Sequence, residues 1–104
     1  MSQFDVYENT DPDSMETYPY FVDIQNPLLD TLNSRVVMPL TSSQGSQGYP
    51  KNLCPLIEIE GCSYALLAQQ ITTIPSSLLT HQPKSIGVYR NDIIAALDFL
   101  ISGI

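Results

Sequence analysis

The chain has 104 residues, 43% of them hydrophobic, and a formal net charge of −7. That is enough for one domain and not two, and a chain of this size buries roughly 60–70% of the surface it exposes when unfolded. Seven acids, Asp5, Glu8, Asp11, Asp13, Glu16, Asp23 and Asp30, fall in the first 30 residues with no Lys or Arg among them, so this segment holds the whole net charge. Direct nucleic-acid binding needs clustered cations and is disfavoured; the acidity suits a basic protein partner, or simply keeps the protein soluble.

In chain order, QFDVY (residues 3–7) alternates as a strand and runs into the turn-rich ENTDPDS. YPYFVDIQ (18–25) reads as a second strand, with Pro19 marking its start. NPLLDTLNS (26–34) reads as a turn that exposes or half-buries Leu28 and Leu29, and RVVMPL (35–40) as a third strand. Residues 41–52, TSSQGSQGYPKN, offer almost nothing to pack and read as a flexible loop, or as one that orders on a partner. PLIEIE, Gly61 and CSYALLAQQ form a hairpin, with Ile57 and Ile59 buried, Glu58 and Glu60 wet, and Gly61 supplying the turn. ITTIPSSLL is a further short extended piece, and THQPKSIG is a loop.

One long helix is evident, from about Asn91 to Ile101. Asn91 or Ser85 serves as its cap, and Asp92 suits the positive end of the helix dipole. Ile93, Ile94, Leu97, Leu100, Ile101 and Ile104 form one wide apolar stripe, widened by Ala96 and Phe99. Asn91, Asp98 and Ser102, with Ala95 between them, are a narrow polar strip. A helix so apolar needs the sheet on one side and a second protomer on the other, so a homodimer is expected. Several strands followed by a terminal helix make an α+β domain, a single unit over residues 1–104.

The residues carry no catalytic or metal signature. His81 is alone on a loop, and Cys54 and Cys62 have no zinc-type partners. Glu58 and Glu60 lie at i, i+2 on a wet strand face, and Asp11 and Asp13 lack the rest of a calcium loop. QGSQG is not a phosphate cradle. No cofactor or metal and no enzymatic activity are expected. The apolar run 93–101 is broken by Asp98 and too short to span a membrane. The N-terminus lacks the features of a secretory signal. A cytoplasmic location follows, with reduced thiols unless Cys54 and Cys62 face each other across the hairpin.

Read in order, YPYFVDIQNPLLD, VVMPL, CPLIEIEG, TTIP and RNDIIAALDFLISGI, together spanning nearly the whole chain, resemble the CcdB family, toxins of the ccd toxin–antitoxin module and poisons of DNA gyrase. The RN-IIAA-DFLI helix is closer to chromosomal relatives than to the plasmid toxin. The resemblance implies a homodimeric SH3-like antiparallel β-barrel with a C-terminal helix. It implies a contact with the A subunit of DNA gyrase at Asn26, Leu28, Leu29, Asp98, Ile101, Ser102, Gly103 and Ile104. The terminal SGI is then a contact tip rather than core. It further implies neutralisation by a CcdA-like antitoxin at the loop after the first strand, at Glu8 and Asn9, and co-repression of the operon with that antitoxin, operator DNA being reached only through it.

Two departures stand out. Ser102 occupies the place of a tryptophan in the plasmid toxin, and the acidic loop YENTDPDSMET replaces a basic one. The alternatives are an endoribonuclease toxin of the same fold, like Kid and MazF, which four Lys plus Arg and one His argue against, and a non-toxic relative that only binds antitoxin.

Overall fold

Short runs of β-branched and aromatic residues alternate with turns, and the runs pair. The strands are β1 (Asp5–Glu8), β2 (Tyr20–Asp23), β3 (Ser34–Ser42), β4 (Leu56–Ile59), β5 (Cys62–Leu66), β6 (Thr72–Pro75) and β7 (Lys84–Ser85), followed by one helix, α1 (Arg90–Ser102). The computed structural model describes residues 3–29, 31–43, 50, 52–79 and 84–103. All pairings are antiparallel, in the order β4-β5-β3-β2-β1-β7, with β6 also on β3. The sheet curls into a half-barrel with the helix at its C-terminal end, the expected small α+β, SH3-like arrangement.

β3 is the spine. One edge pairs with β2 from Val37 to Leu40. The other pairs with β6 from Ser34 to Val37 and with β5 from Leu40 to Ser42. Pro39 lies in the gap between those two ladders, where its carbonyl accepts from the Leu67 N–H at 3.0 Å. A residue's N–H and C=O face the same edge of a strand, so the proton that proline lacks falls where no ladder partner waits.

Thr41 and Ser42, read from sequence as loop, belong to β3. They pair with Ala65 and Tyr64, and the Thr41 hydroxyl donates to the Thr17 carbonyl at 2.9 Å. Most of the remaining loop, residues 44–49 and 51, lies outside the described residues, as does His81. The first strand starts two residues later than the alternation suggests, because Phe4 takes a left-handed φ of 68°. Its N–H donates to the Asp23 carbonyl, and its own carbonyl accepts from Ile86.

The β4–β5 hairpin turns on Glu60 and Gly61, with φ of 51° and 82°. Both central residues are left-handed, as a two-residue turn matched to the strand twist requires. Ile57 and Ile59 are buried and Glu58 is exposed, as the alternation indicates.

Val22, Met38, Leu40, Ile57 and Leu66 from the sheet close on Ile93 and Ala96 of α1. Each large apolar side chain among them contributes about 1.5–3 kcal/mol by leaving water. Tyr7, Val37 and Leu79 form a second, smaller cluster.

Neither Asn91 nor Ser85 caps the helix. A 3₁₀ turn, Gly87–Tyr89, winds directly into it, so the capping position falls to Tyr89 and no side chain bonds there. The Tyr89 hydroxyl instead accepts the Glu58 N–H of β4 at 3.1 Å. The sheet covers a narrower arc of the helix than its apolar stripe. Ile93 and Ala96 are buried and Leu97 half-buried, whereas Leu100 and Ile101 are 37% and 78% exposed.

Cys54 and Cys62 are free thiols, one buried and one exposed. The Cys54 Sγ donates to Gln69 Oε1 at 3.2 Å, and burial pushes its pKa up. One equivalent of a thiol reagent should therefore react fast at neutral pH, through Cys62, and the second only on unfolding. Equal fast reaction of both would contradict the burial of Cys54. No heavy atom lies within 4 Å of a Cβ built on Gly61, so Gly61→Ala meets no clash and costs only the strain of a side chain at a left-handed φ of 82°. Urea unfolding should show a loss of about 1–2 kcal/mol.

Candidate functional site

β2 ends at Asp23, which is fully buried. Its Oδ2 accepts from Arg35 Nε at 3.1 Å and from Nη2, and its Oδ1 accepts the Gln25 N–H at 3.0 Å. Arg35, at the start of β3, is also fully buried. Two charges taken from water hold only when paired and hydrogen-bonded, and breaking one partner out leaves the other stranded.

Gln25 extends this network into the following turn. Its Oε1 accepts the Val36 N–H at 2.9 Å, and its Nε2 donates to the Leu29 carbonyl at 3.0 Å. The Asn26 side chain accepts the Leu28 N–H at 2.9 Å, and the Asn26 carbonyl accepts the Leu29 N–H, also at 2.9 Å. The backbone of the 3₁₀ turn Pro27–Leu29 thus bonds within itself and to Gln25. Its leucines make no core: Leu28 is 87% exposed and Leu29 47%. A polar scaffold displays apolar side chains, the arrangement a protein partner can bury.

The second part is the end of α1. Asp98, Ile101, Ser102 and Gly103 are all exposed, and Ile104 lies outside the described residues. Gly103 sits at a φ of 72° and donates its N–H to the Phe99 carbonyl at 2.9 Å. This is the left-handed residue that ends a helix, a position where glycine avoids the cost of a Cβ. Gly103 therefore has a structural duty besides any contact. α1 packs chiefly against the 3₁₀ turns Ala68–Gln70 and Gly87–Tyr89. Within one protomer the Leu28 turn and the helix end are thus carried by separate elements.

Glu8 and Asn9, the residues implied for antitoxin, differ in kind. Glu8 is exposed, whereas Asn9 is 5% exposed and its side chain is engaged inside the loop. Its Nδ2 donates to Ser14 Oγ at 2.9 Å and to the Tyr18 carbonyl at 2.8 Å, and its Oδ1 accepts the Asp11 N–H at 2.9 Å. Asn9 shapes the acidic loop that follows it.

Beside it opens a groove of about 270 Å³ lined by Glu8, Asn9, Met15, Pro19, Tyr20 and Tyr64. The two rings meet edge to face at 5.2 Å. Burial, then Tyr64, then Glu8 among smaller influences raise the pKa of Tyr20. Sequence reasoning passed over this groove. Its one available signal was the register, since Leu40 pairs with both Tyr20 and Leu66 and so brings Tyr64 near Tyr20. Among the described residues no group of three or more His, Cys, Asp or Glu could hold a metal ion, and no helix is long and apolar enough to cross a membrane.

Fold and site together define a small half-barrel domain that displays leucines on a rigid turn and isoleucine at a helix end. The chain belongs to the CcdB family: the family model described as CcdB protein matches residues 3–103, nearly its whole length. Membership implies the toxin of a toxin–antitoxin system, with an antitoxin and gyrase as partners of the family in general.

The network under the turn makes a graded prediction. Arg35→Met strands the Asp23 carboxylate and should lower unfolding free energy in urea by about 3–5 kcal/mol. Gln25→Ala should cost about 1 kcal/mol and speed amide exchange at Leu28 and Leu29 more than in the core. Equal protection of these amides in both proteins would mean that Gln25 does not hold the turn.

Proposed function

We propose that this chain is a toxin that acts without catalysis, binding the A subunit of DNA gyrase and trapping the cleaved-DNA complex. The contact is made by Asn26, Leu28 and Leu29 with Asp98, Ile101, Ser102, Gly103 and Ile104. The observation that carries this reading is Leu28, 87% exposed on a turn whose backbone bonds are already satisfied, in a chain of the CcdB family. A turn of this kind loses little freedom on binding, so apolar burial converts into affinity with less offset.

The protein acts as a homodimer, whose second protomer covers α1 at Leu97 and Leu100 and leaves Ile101 to the gyrase contact. Ser102 supplies a hydrogen bond where the plasmid toxin stacks an aromatic ring. A CcdA-like antitoxin neutralises the toxin, touching Glu8 and the loop shaped by Asn9, and co-represses the operon with it.

The test pairs a cellular and a biochemical measurement. Expression should arrest a host with wild-type gyrase and spare one whose gyrase carries a resistance substitution in its A subunit. Leu28→Asp and Ile101→Asp each alter an exposed side chain, so stability should change by only about 0.5 kcal/mol. Each should weaken gyrase-dependent DNA cleavage by roughly tenfold or more, as loss of an interface anchor does. Undiminished cleavage by both variants would remove the site. Sedimentation of the wild-type protein as a monomer at micromolar concentration would remove the dimer.

A further inference from the structure

We propose that the groove between β1, β2 and β5 receives a cationic side chain, guanidinium or ammonium, from an extended basic segment of a partner protein. This deepens the antitoxin reading, on which the identity of the partner rests; the preference for a cation stands on the groove itself. The groove lies at the start of β2, at the opposite end of that strand from the Pro27–Leu29 turn.

Donors and acceptors in the wall are unequally matched. Asn9 is the one amide side chain among the described residues of the wall, and both of its donors are spent on Ser14 and Tyr18. Glu8 is exposed and makes no ion pair among the described residues. Among the described residues no lysine, arginine or histidine lines the groove. The wall therefore offers a carboxylate, two phenol rings and a thioether. A ligand that suits it brings positive charge and N–H donors, and a phosphate or carboxylate meets repulsion from Glu8.

Charge beyond the wall has the same sign. Asp11, Asp13 and Glu16 are exposed on the loop that borders the groove, and no Lys or Arg occurs before residue 35. A cation is drawn to this end of the molecule and keeps its attraction as it docks.

Shape narrows the ligand further. At about 270 Å³ and open to solvent, the groove falls below the range of about 300–1,000 Å³ usual for small-molecule sites. It is suited to one long side chain entering from a strand laid across the surface. Aromatic rings and an adaptable methionine, Met15 at 46% exposed, are the surroundings that cover the aliphatic stem of lysine or arginine while its head stays at a carboxylate.

The probe is an acetylated Gly-Arg-Gly amide, titrated into the intact protein and followed by NMR, with its neutral citrulline counterpart as reference. Saturable shifts should concentrate at the Met15 methyl, Tyr20 and Tyr64, with the arginine peptide bound roughly fivefold or more tightly than the citrulline one, the scale of a single favourable charge contact. Glu8→Gln should abolish that preference. Glu58→Gln, which removes one exposed charge from β4, should leave it intact, and the spectra report directly that each variant is folded. Shifts spread over the whole acidic surface, equal loss in the two variants, or equal binding of citrulline overturns the proposal. Binding of spermidine at the same shifts, as tight as the peptide, overturns it in favour of a free polyamine. None of these outcomes depends on gyrase, so this proposal and the poisoning mechanism stand or fall separately.

Discussion

The Asp23–Arg35 pair is the constraint on which the rest of the structure hangs. Asp23 closes β2 and Arg35 opens β3, and the charges meet where water is excluded. Asp23 also accepts the Phe4 N–H on its backbone carbonyl and the Gln25 N–H on its side chain. One residue thereby ties the lead-in to β1, the end of β2, the start of β3 and the turn beyond. A well-packed apolar pair holds two strands together at least as firmly as an ion pair. It would not hold the turn, because it offers no acceptor to Gln25. The charge pair sets the direction in which the chain leaves the sheet, and so the direction in which Leu28 faces.

Rigidity in this molecule is distributed unevenly as a result. The Leu28 turn is braced from below by side chains whose polar atoms are used. The helix end is braced only along one side, and Leu100 and Ile101 have no sheet beneath them. The turn resembles a fixed anchor. The helix end, by contrast, leaves apolar side chains open to solvent.

Much of this was legible in the residues. Asn26-Pro27 ahead of two leucines indicated a turn with exposed apolar groups, because proline and asparagine favour turns whatever follows. Glu58 and Glu60 against Ile57 and Ile59 located the hairpin, because a period of two has one meaning on a pleated strand. The 3.6-residue spacing of isoleucine and leucine located α1. What stayed hidden depended on distant partners. Asp23 and Arg35 are charged, and their burial follows only from their meeting each other. Asn9 reads as a surface residue until its amide is seen bonded inside its own loop. The missing side-chain cap on α1 follows from a 3₁₀ turn that no local signal announced, and the Tyr20–Tyr64 groove exists only once β3 has paired on both edges.

The place of β1 in the sheet bears on how the protein comes into being. β1 lies between β2 and β7, with Val6 opposite both Val22 and Lys84, and Phe4 is sealed in place through Ile86. The first strand is thus made early and finished late, since its outer neighbour is some 80 residues further along the chain. Synthesis proceeds at about 5–20 residues per second. For seconds, the growing chain therefore lacks both the strand that covers the outer edge of β1 and the helix that roofs the core. The acidic loop between β1 and β2 is made well before the elements that close the fold.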